Sequence, residues 1–191
     1  PTCPGKVGFD EWLTGLNFFD NDPYLSDNGT YKQLKGKGTV LTMDATLEFL
    51  KKHKDGGKPM FAVTWFPSPH DPHADPPAAM TEHLYTEPGT NRGYYLEIAL
   101  IDEQVGRLRK ELRNLEIKEN TILWYCSDNG GLVKETSGGR EKKGSIYEGG
   151  LRVPGIIEWP ARKLKGRTSV PVSTYDIYPT LLAMADVELY A

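Results

Sequence analysis

Two apolar runs joined by a glycine-rich loop decide how this chain folds. Residues 120–131 read NTILWYCSDNGG, and residues 143–159 read KGSIYEGGLRVPGIIEW. The first run, residues 121–126, has β-branched and aromatic members, which is typical of a strand covered on both faces, as in a parallel sheet. Cys126 is then a small apolar side chain inside that strand. Residues 153–159 predict another buried strand, closed by Pro160.

The polar residues that end the first run are candidates for a metal site. Asp128 and Asn129 follow the predicted strand, and the glycines after them permit a sharp exit because glycine tolerates positive φ angles. In open α/β sheets, ligands bind beyond the carboxyl ends of the strands. A carboxylate beside an amide oxygen suits a hard cation, Ca²⁺ or Mg²⁺, better than zinc. The alternative is an ordinary loop, since Asp-Asn-Gly is common at turns.

The rest of the pattern alternates strands and helices. Residues 59–66 (PMFAVTWF) predict a further buried strand. Residues 39–52 and 92–115 carry apolar side chains at intervals of three and four, which predicts two amphipathic helices. Ser173 is placed to cap another helix that follows it. This alternation predicts an α/β fold with a mostly parallel sheet.

A stiff loop after the 59–66 run displays two histidines. Residues 67–73 read PSPHDPH, and the prolines keep the loop from becoming a helix. His70 is well placed there to donate to an anion or to transfer a proton. His73 is a second candidate, and the alternative is that both are ordinary surface residues.

The loop between the two apolar runs is cationic. Residues 132–147 read LVKETSGGREKKGSIY, and this composition alone favours a mobile, solvated segment. The loop nevertheless joins two predicted strands beside Asp128 and Asn129. A cation at that place would help to bind an anionic substrate and would stabilise charge that develops on a leaving oxygen.

Bulk properties limit the class of protein. The chain has 191 residues, which suggests one domain with a substantial core. A net charge of −3 without a basic stripe predicts no nucleic-acid partner, and no apolar run has the length of a membrane span, so we expect no membrane partner. Residues 1–38 are rich in turn formers and predict an irregular, loop-rich lead-in. Residues 26–29 repeat the tetrapeptide SDNG there, but no apolar strand precedes them, so they predict a turn without a metal.

The order and spacing of these motifs resemble the sulfatase family of the alkaline-phosphatase superfamily. The resemblance rests on SDNGG at 127–131, on KGSIYEGGLRVPGIIEWP at 143–160, and on a helix at 94–112 that is similar to the family pattern YxxxIxxxDxxVGRL. It covers most of the chain. It implies a three-layer α/β sandwich of the alkaline-phosphatase type, here incomplete.

The resemblance also implies roles for single residues. Asp128 and Asn129 match metal ligands of the family, for Ca²⁺ in preference to Mg²⁺. Lys143 matches an active-site lysine before the glycine of KGxxYEGG, and His70 matches the histidine of a His-x-Pro pattern. Both are expected to contact the sulfate or the leaving oxygen of an anionic sulfate-ester substrate. The family is periplasmic, secreted or lysosomal, and this sequence does not choose among these compartments.

Part of the family's machinery has no match in this sequence. The family's formylglycine nucleophile arises from Cys or Ser in a C-x-P-x-R or S-x-A/P-x-R motif, whereas Cys3 precedes Pro-Gly-Lys and Cys126 precedes Ser-Asp-Asn. The family's paired aspartates and its GKWH-like segment are also absent. We therefore expect residues 1–191 to be the central and C-terminal part of one sulfatase catalytic domain. Its partner would be the remainder of the sulfatase chain, and the segment alone would be inactive.

Two other interpretations stay open. A related phosphodiesterase or phosphonate hydrolase would use the same kind of metal site. A non-catalytic α/β binding domain would keep the architecture without a nucleophile.

Overall fold

The computed structural model describes residues 3–15, 21–73 and 91–188. The chain divides into two compact units, Pro1–Thr121 and Ile122–Ala191. Among the described residues, no helix combines the length and the apolarity that crossing a membrane requires.

The first unit begins with a small antiparallel sheet. Its strands are β1 (Leu13–Gly15), β2 (Tyr24–Asp27) and β3 (Thr30–Gln33), in the order β1-β2-β3. The described part of residues 1–38 thus contains three short strands within the lead-in that was expected to be loop-rich. Short strands with polar side chains on both faces show little hydrophobic alternation, so the sequence pattern gave no signal for them.

The repeated SDNG tetrapeptide forms the turn between β2 and β3. Asn28 and Gly29 have φ angles of 50° and 93°, which is the left-handed pair that two-residue hairpins require. The Asn28 side-chain oxygen accepts a hydrogen bond of 2.8 Å from the backbone N–H of Trp12. The prediction of a turn at this site is confirmed.

Two packed helices form the core of the first unit. They are α1 (Gly38–His53) and α2 (Arg92–Asn114), and each agrees with its predicted range to within one or two residues. Their apolar stripes face each other because residues three and four apart share one helix face. The buried apolar side chains are Met43, Leu47, Leu50, Leu96, Leu100, Ile101, Leu108 and Leu112.

The predicted buried strand at 59–66 does not form within the described residues. The segment has no ladder partner there, and the side chains of Phe61, Val63 and Trp65 are 62%, 43% and 85% exposed. A strand forms only when a neighbouring strand pairs its backbone groups. The segment is held by side-chain contacts instead: the Phe61 ring stacks at 6.3 Å from that of Phe9, and the hydroxyls of Thr46 and Thr64 are 2.9 Å apart.

The second unit contains a pair of strands that the two apolar runs predicted. Strand β4 (Leu123–Cys126) pairs antiparallel with β5 (Gly155–Glu158), and Cys126 lies opposite Gly155. The expected burial on both faces is wrong within this unit, since β4 is half-buried and Ile156 of β5 is 59% exposed. Cys126 is an exposed free thiol, and not the buried apolar side chain that was expected.

Two helices complete the second unit. A single helical turn, α3 (Glu148–Leu151), precedes β5, and α4 (Ile177–Met184) follows it. Ser173 caps the chain before α4 as predicted: its hydroxyl accepts from the N–H of Tyr175 at 3.1 Å, and its own N–H donates to the Asp176 carboxylate at 2.7 Å. This reciprocal pair is a capping box.

Candidate active site

The turn that leaves β4 carries Asp128 and Asn129. The hydroxyl of Ser127 donates to the backbone carbonyl of Asn129 at 2.9 Å, and the Asn129 side-chain nitrogen donates to Oδ2 of Asp128 at 2.6 Å. Asp128 is exposed and Asn129 is half-buried. The two side chains are therefore held side by side, with Oδ1 of Asp128 and Oδ1 of Asn129 as the oxygens that could face a cation.

The chemistry of this pair fits part of a calcium site. A carboxylate and an amide oxygen are both ligands that Ca²⁺ accepts, but Ca²⁺ takes six to eight oxygens. Within residues 3–15, 21–73 and 91–188, no cluster of three or more His, Cys, Asp or Glu could hold a metal ion. The turn thus supplies two donors, and a complete site needs further oxygens.

Glycines lock this turn against α3, and they lock α3 against the loop that precedes it. The Gly130 N–H donates to the Gly150 carbonyl at 3.0 Å. A Cβ added to Gly130 would lie 1.8 Å from the Gly149 oxygen, and Cβ atoms added to Gly149 and Gly150 would lie 2.0 Å and 2.1 Å from the oxygens of Glu141 and Ser145. Only glycine permits so close an approach of two backbones. Gly149 and Gly150 therefore shape the loop by letting its backbone pack directly on α3.

The same loop attaches Lys143 to the end of the Asp128 turn. The backbone N–H of Lys143 donates to the Gly131 carbonyl at 2.8 Å, and the Lys143 side chain is half-buried. Lys142 is exposed. Further along, the Arg140 guanidinium lies 3.8 Å from the ring centroid of Tyr147, and the Arg140 carbonyl accepts from Gly149 N–H at 2.7 Å. The loop is therefore organised by backbone hydrogen bonds, and it brings Lys143 to the turn that holds the two oxygen donors.

His70 ends a turn in the first unit. Its backbone N–H donates to the Pro67 carbonyl at 3.1 Å, and its ring Nδ1 lies 2.6 Å from the carbonyl oxygen of Asp71. A carbonyl oxygen can only accept, so Nδ1 carries a hydrogen. In the neutral ring, Nε2 is then the acceptor atom, as a proton-transfer group requires. The His70 side chain is exposed.

His73 takes part in packing. Its Nε2 lies 3.1 Å from the Pro69 carbonyl, and its ring meets that of Tyr94 edge-on at 6.0 Å. A Cβ added to Gly93 would lie 3.0 Å from the Cβ of His73. The side chain is half-buried against the first turn of α2. These contacts favour a structural role for His73 and support the preference for His70.

A buried polar network near His70 was not anticipated from the sequence. The Lys37 ammonium donates to Oε1 of Glu97 at 2.5 Å, the Ser68 hydroxyl donates to Oε2 of Glu97, and the Thr39 and Ser68 hydroxyls are 2.5 Å apart. All four residues are at least nine-tenths buried. The partners are up to 60 residues apart, and Lys37 lies in the stretch that the sequence indicated to be a loop-rich lead-in, so no local pattern could have paired them.

The predicted site residues thus fall in both units. The second unit brings Asp128, Asn129 and Lys143 to one turn and its adjoining loop. His70 belongs to the first unit, and its meeting with the other three stays a prediction.

Comparison with known proteins places the chain in a family. The sulfatase family profile matches residues 2–187. An ulvan-active sulfatase of Formosa agariphila is 28% identical over 96% of this chain and 40% of its own length. Arylsulfatase J of Mus musculus is 30% identical over 97% of this chain and 30% of its own length. The chain therefore spans less than half the length of these curated relatives.

Solved structures agree with this assignment. The crystal structure of Ps i-CgsB in complex with k-i-k-neocarrahexaose has a TM-score of 0.87 and 27% identity over 98% of this chain and 48% of its own. The predicted α/β fold of the alkaline-phosphatase type, incomplete in this chain, is thereby confirmed. With a profile match across nearly all of its length, the chain belongs to the sulfatase family.

Proposed function

We propose that this chain is the part of a sulfatase that holds the metal turn and the active-site lysine, and that the complete enzyme hydrolyses a sulfate ester. The observation that carries this proposal is the 2.8 Å hydrogen bond between the Lys143 N–H and the Gly131 carbonyl. It fixes the backbone of a lysine beside the turn that presents a carboxylate and an amide oxygen. An anion-binding cation next to hard-metal ligands is what hydrolysis of a charged ester needs.

Asp128 and Asn129 would supply two oxygen ligands to a divalent cation. Ca²⁺ is the better fit because it accepts amide and carboxylate oxygens in a flexible shell, whereas Mg²⁺ usually keeps several waters. The cation, once bound, would act as a Lewis acid toward an oxygen of the sulfate group. The Asn129–Asp128 hydrogen bond orients the carboxylate for this role.

Lys143 and His70 would act on the sulfate group and on the leaving oxygen. The Lys143 ammonium supplies a positive charge that stabilises an anionic substrate. His70 has Nδ1–H committed to the Asp71 carbonyl, so its Nε2, protonated in the imidazolium form, would give its proton to the leaving oxygen and leave a neutral ring. The nucleophile would be a formylglycine contributed by the remainder of the sulfatase chain.

The 191-residue chain alone should bind Ca²⁺ weakly and hydrolyse no sulfate ester. It offers two side-chain oxygens at the turn, and an incomplete ligand set gives low affinity because Ca²⁺ affinity follows the number and charge of its ligands. A calorimetric titration of the 191-residue chain that showed tight Ca²⁺ binding would contradict this expectation.

The substrate test is a panel assay on the complete enzyme. The panel contains an aryl sulfate, sulfated oligosaccharides, an aryl phosphodiester and an aryl phosphonate, since one relative is named for activity on ulvan and one structural neighbour was solved with a carbohydrate. We expect the enzyme to hydrolyse at least one sulfate ester, and to hydrolyse the phosphodiester and the phosphonate much more slowly. Preference for a phosphodiester or phosphonate, or no turnover of any ester, would overturn the proposal and favour one of the two other interpretations.

A further inference from the structure

The turn that carries His70 is anchored from inside the first unit by a buried ion pair. Glu97 lies in the second turn of α2, and it uses both carboxylate oxygens: Oε1 accepts from Lys37 and Oε2 accepts from Ser68. The relative exposure of Glu97 is 2%, that of Lys37 is 5% and that of Ser68 is 9%. Ser68 lies inside the turn that the His70 N–H closes on the Pro67 carbonyl.

The direction of the hydrogen bonds follows from counting hydrogens. A serine hydroxyl has one hydrogen, and Ser68 gives it to the Glu97 carboxylate, which can only accept. The Thr39 hydroxyl must therefore be the donor in its 2.5 Å contact with Ser68. The result is a directed chain from Thr39 through Ser68 to Glu97, and its last bond is charge-assisted.

The other side of the loop is fixed to the same helix. The His73 ring contacts Tyr94, its Cβ packs on Gly93, and its Nε2 lies 3.1 Å from the Pro69 carbonyl. Between these two attachments, His70 is exposed. The position of this exposed imidazole is therefore set by buried and half-buried groups that tie both flanks of its turn to α2.

We propose that Glu97, acting through Ser68 and balanced by Lys37, is a positioning residue that holds His70 in place for catalysis. This inference rests on the proposed function for its catalytic consequence. A hydrophobic pair of similar volume could fill the same space, and replacing buried ion pairs in this way is often neutral or stabilising. The pair's specific contribution is therefore the acceptor that it presents to Ser68, which a hydrophobic pair cannot supply.

The first test variant is Ser68→Ala in the complete enzyme. It removes the tether and leaves the ion pair intact, so kcat should fall about 10-fold to 100-fold with KM within about twofold of wild type, as a small misplacement of a catalytic group predicts. The backbone amide order parameter of His70 should fall from about 0.85 to below about 0.6. The control is Glu103→Gln, which replaces an exposed glutamate on the same helix. It should leave kcat and the order parameter unchanged.

The second variant separates positioning from folding. Lys37→Met combined with Glu97→Met removes both charges at similar volume, so the unfolding midpoint should stay close to that of wild type. A positioning role predicts that kcat and the His70 order parameter remain low in this variant. A merely structural role predicts that both return to wild-type values along with stability.

The outcomes distinguish this inference from the proposed function. If Ser68→Ala leaves both kcat and the order parameter at wild-type values, or if the double variant restores both, the inference is wrong. If the wild-type enzyme hydrolyses no sulfate ester, the proposed function fails. The order parameters then decide by themselves whether Glu97 holds the His70 turn.

Discussion

Gly130→Ala tests the backbone lock that holds the metal turn. In the structure, a Cβ at Gly130 would lie 1.8 Å from the Gly149 oxygen and 2.8 Å from the Gly149 carbonyl carbon. Both atoms are backbone and cannot swing aside as a flexible side chain could. Reaching even a 3.0 Å contact requires the two segments to separate by about 1.2 Å. That movement also breaks the 3.0 Å hydrogen bond from Gly130 N–H to the Gly150 carbonyl.

The magnitude follows from these two losses. The broken hydrogen bond costs about 1 kcal/mol, and the overpacking costs about 1–3 kcal/mol. The lower entropy of alanine in the unfolded chain offsets about 0.4–1 kcal/mol of this. The free energy of unfolding should therefore fall by about 1–4 kcal/mol. Because the turn carries Asp128 and Asn129, a displacement of about 1 Å should also lower kcat by about 100-fold.

The assay pairs this variant with a matched alanine in the same unit. Gly155 has no heavy atom within 4 Å of its added Cβ, so Gly155→Ala should leave stability and kcat close to wild type. Denaturant unfolding and sulfate-ester turnover of the complete enzyme are measured for both variants. Equal unfolding midpoints and equal kcat values for the two variants would refute the reasoning from the glycine lock.

Three further predictions concern single side chains. Lys143→Ala should lower kcat by about 100-fold to 1000-fold, while Lys142→Ala stays within about twofold of wild type; equal losses in the assay would contradict the assignment. His70→Ala should lower kcat by at least about 100-fold without changing the unfolding midpoint, whereas His73→Ala should lower the free energy of unfolding by about 1 kcal/mol because it removes packing and a hydrogen bond. Hydrogen bonds from Lys52 and then His53 hold the pKa of Glu11 below its ordinary value of 4.5. Glu11 therefore stabilises the fold above about pH 4.5 and loses this effect as the pH falls through its lowered pKa, so the stability gap between wild type and Glu11→Gln should close in acid unfolding titrations.

The elements that the sequence predicts well are those with a local signal. Helices α1 and α2 follow from apolar residues three and four apart, and that spacing survives in the structure because the two stripes pack on each other. Strands β4 and β5 follow from apolar runs. The Ser173 capping box follows from a side chain that bonds to nearby backbone. The Asn28 turn follows from an Asn-Gly pair, which tolerates the positive φ angles that a two-residue hairpin requires.

Elements that depend on distant partners could not be read in this way. Residues 59–66 have the composition of a buried strand, but a strand requires a neighbour and the described residues give the segment none. Strands β1 to β3 form without an apolar face because a hairpin turn and backbone pairing organise them. The Lys37–Glu97 pair joins residues 60 positions apart, and nothing in either local sequence indicates burial.

The candidate site was predictable as residue types and only in part as geometry. Motifs identified Asp128, Asn129 and Lys143. The structure brings them together through close glycine contacts, and the motifs contain these glycines but do not give the distances. The choice of His70 over His73 rested on one pattern, and the packing of His73 on Tyr94 now supports it. The sequence alone could not show this packing, because both histidines lie in the same short loop and each has a proline beside it.

The most direct test of the central claim compares the two SDNG turns of this chain. Asp128 follows β4 and is the proposed calcium ligand, whereas Asp27 ends β2 beside the hairpin turn and pairs with Lys32 at 2.5 Å. Calorimetric Ca²⁺ titration of the complete enzyme should show that Asp128→Asn weakens binding by about 100-fold, since it removes a charged ligand. Asp27→Asn should leave the affinity unchanged. Equal Ca²⁺ affinities for wild type and Asp128→Asn would contradict the assignment of this turn as the metal site.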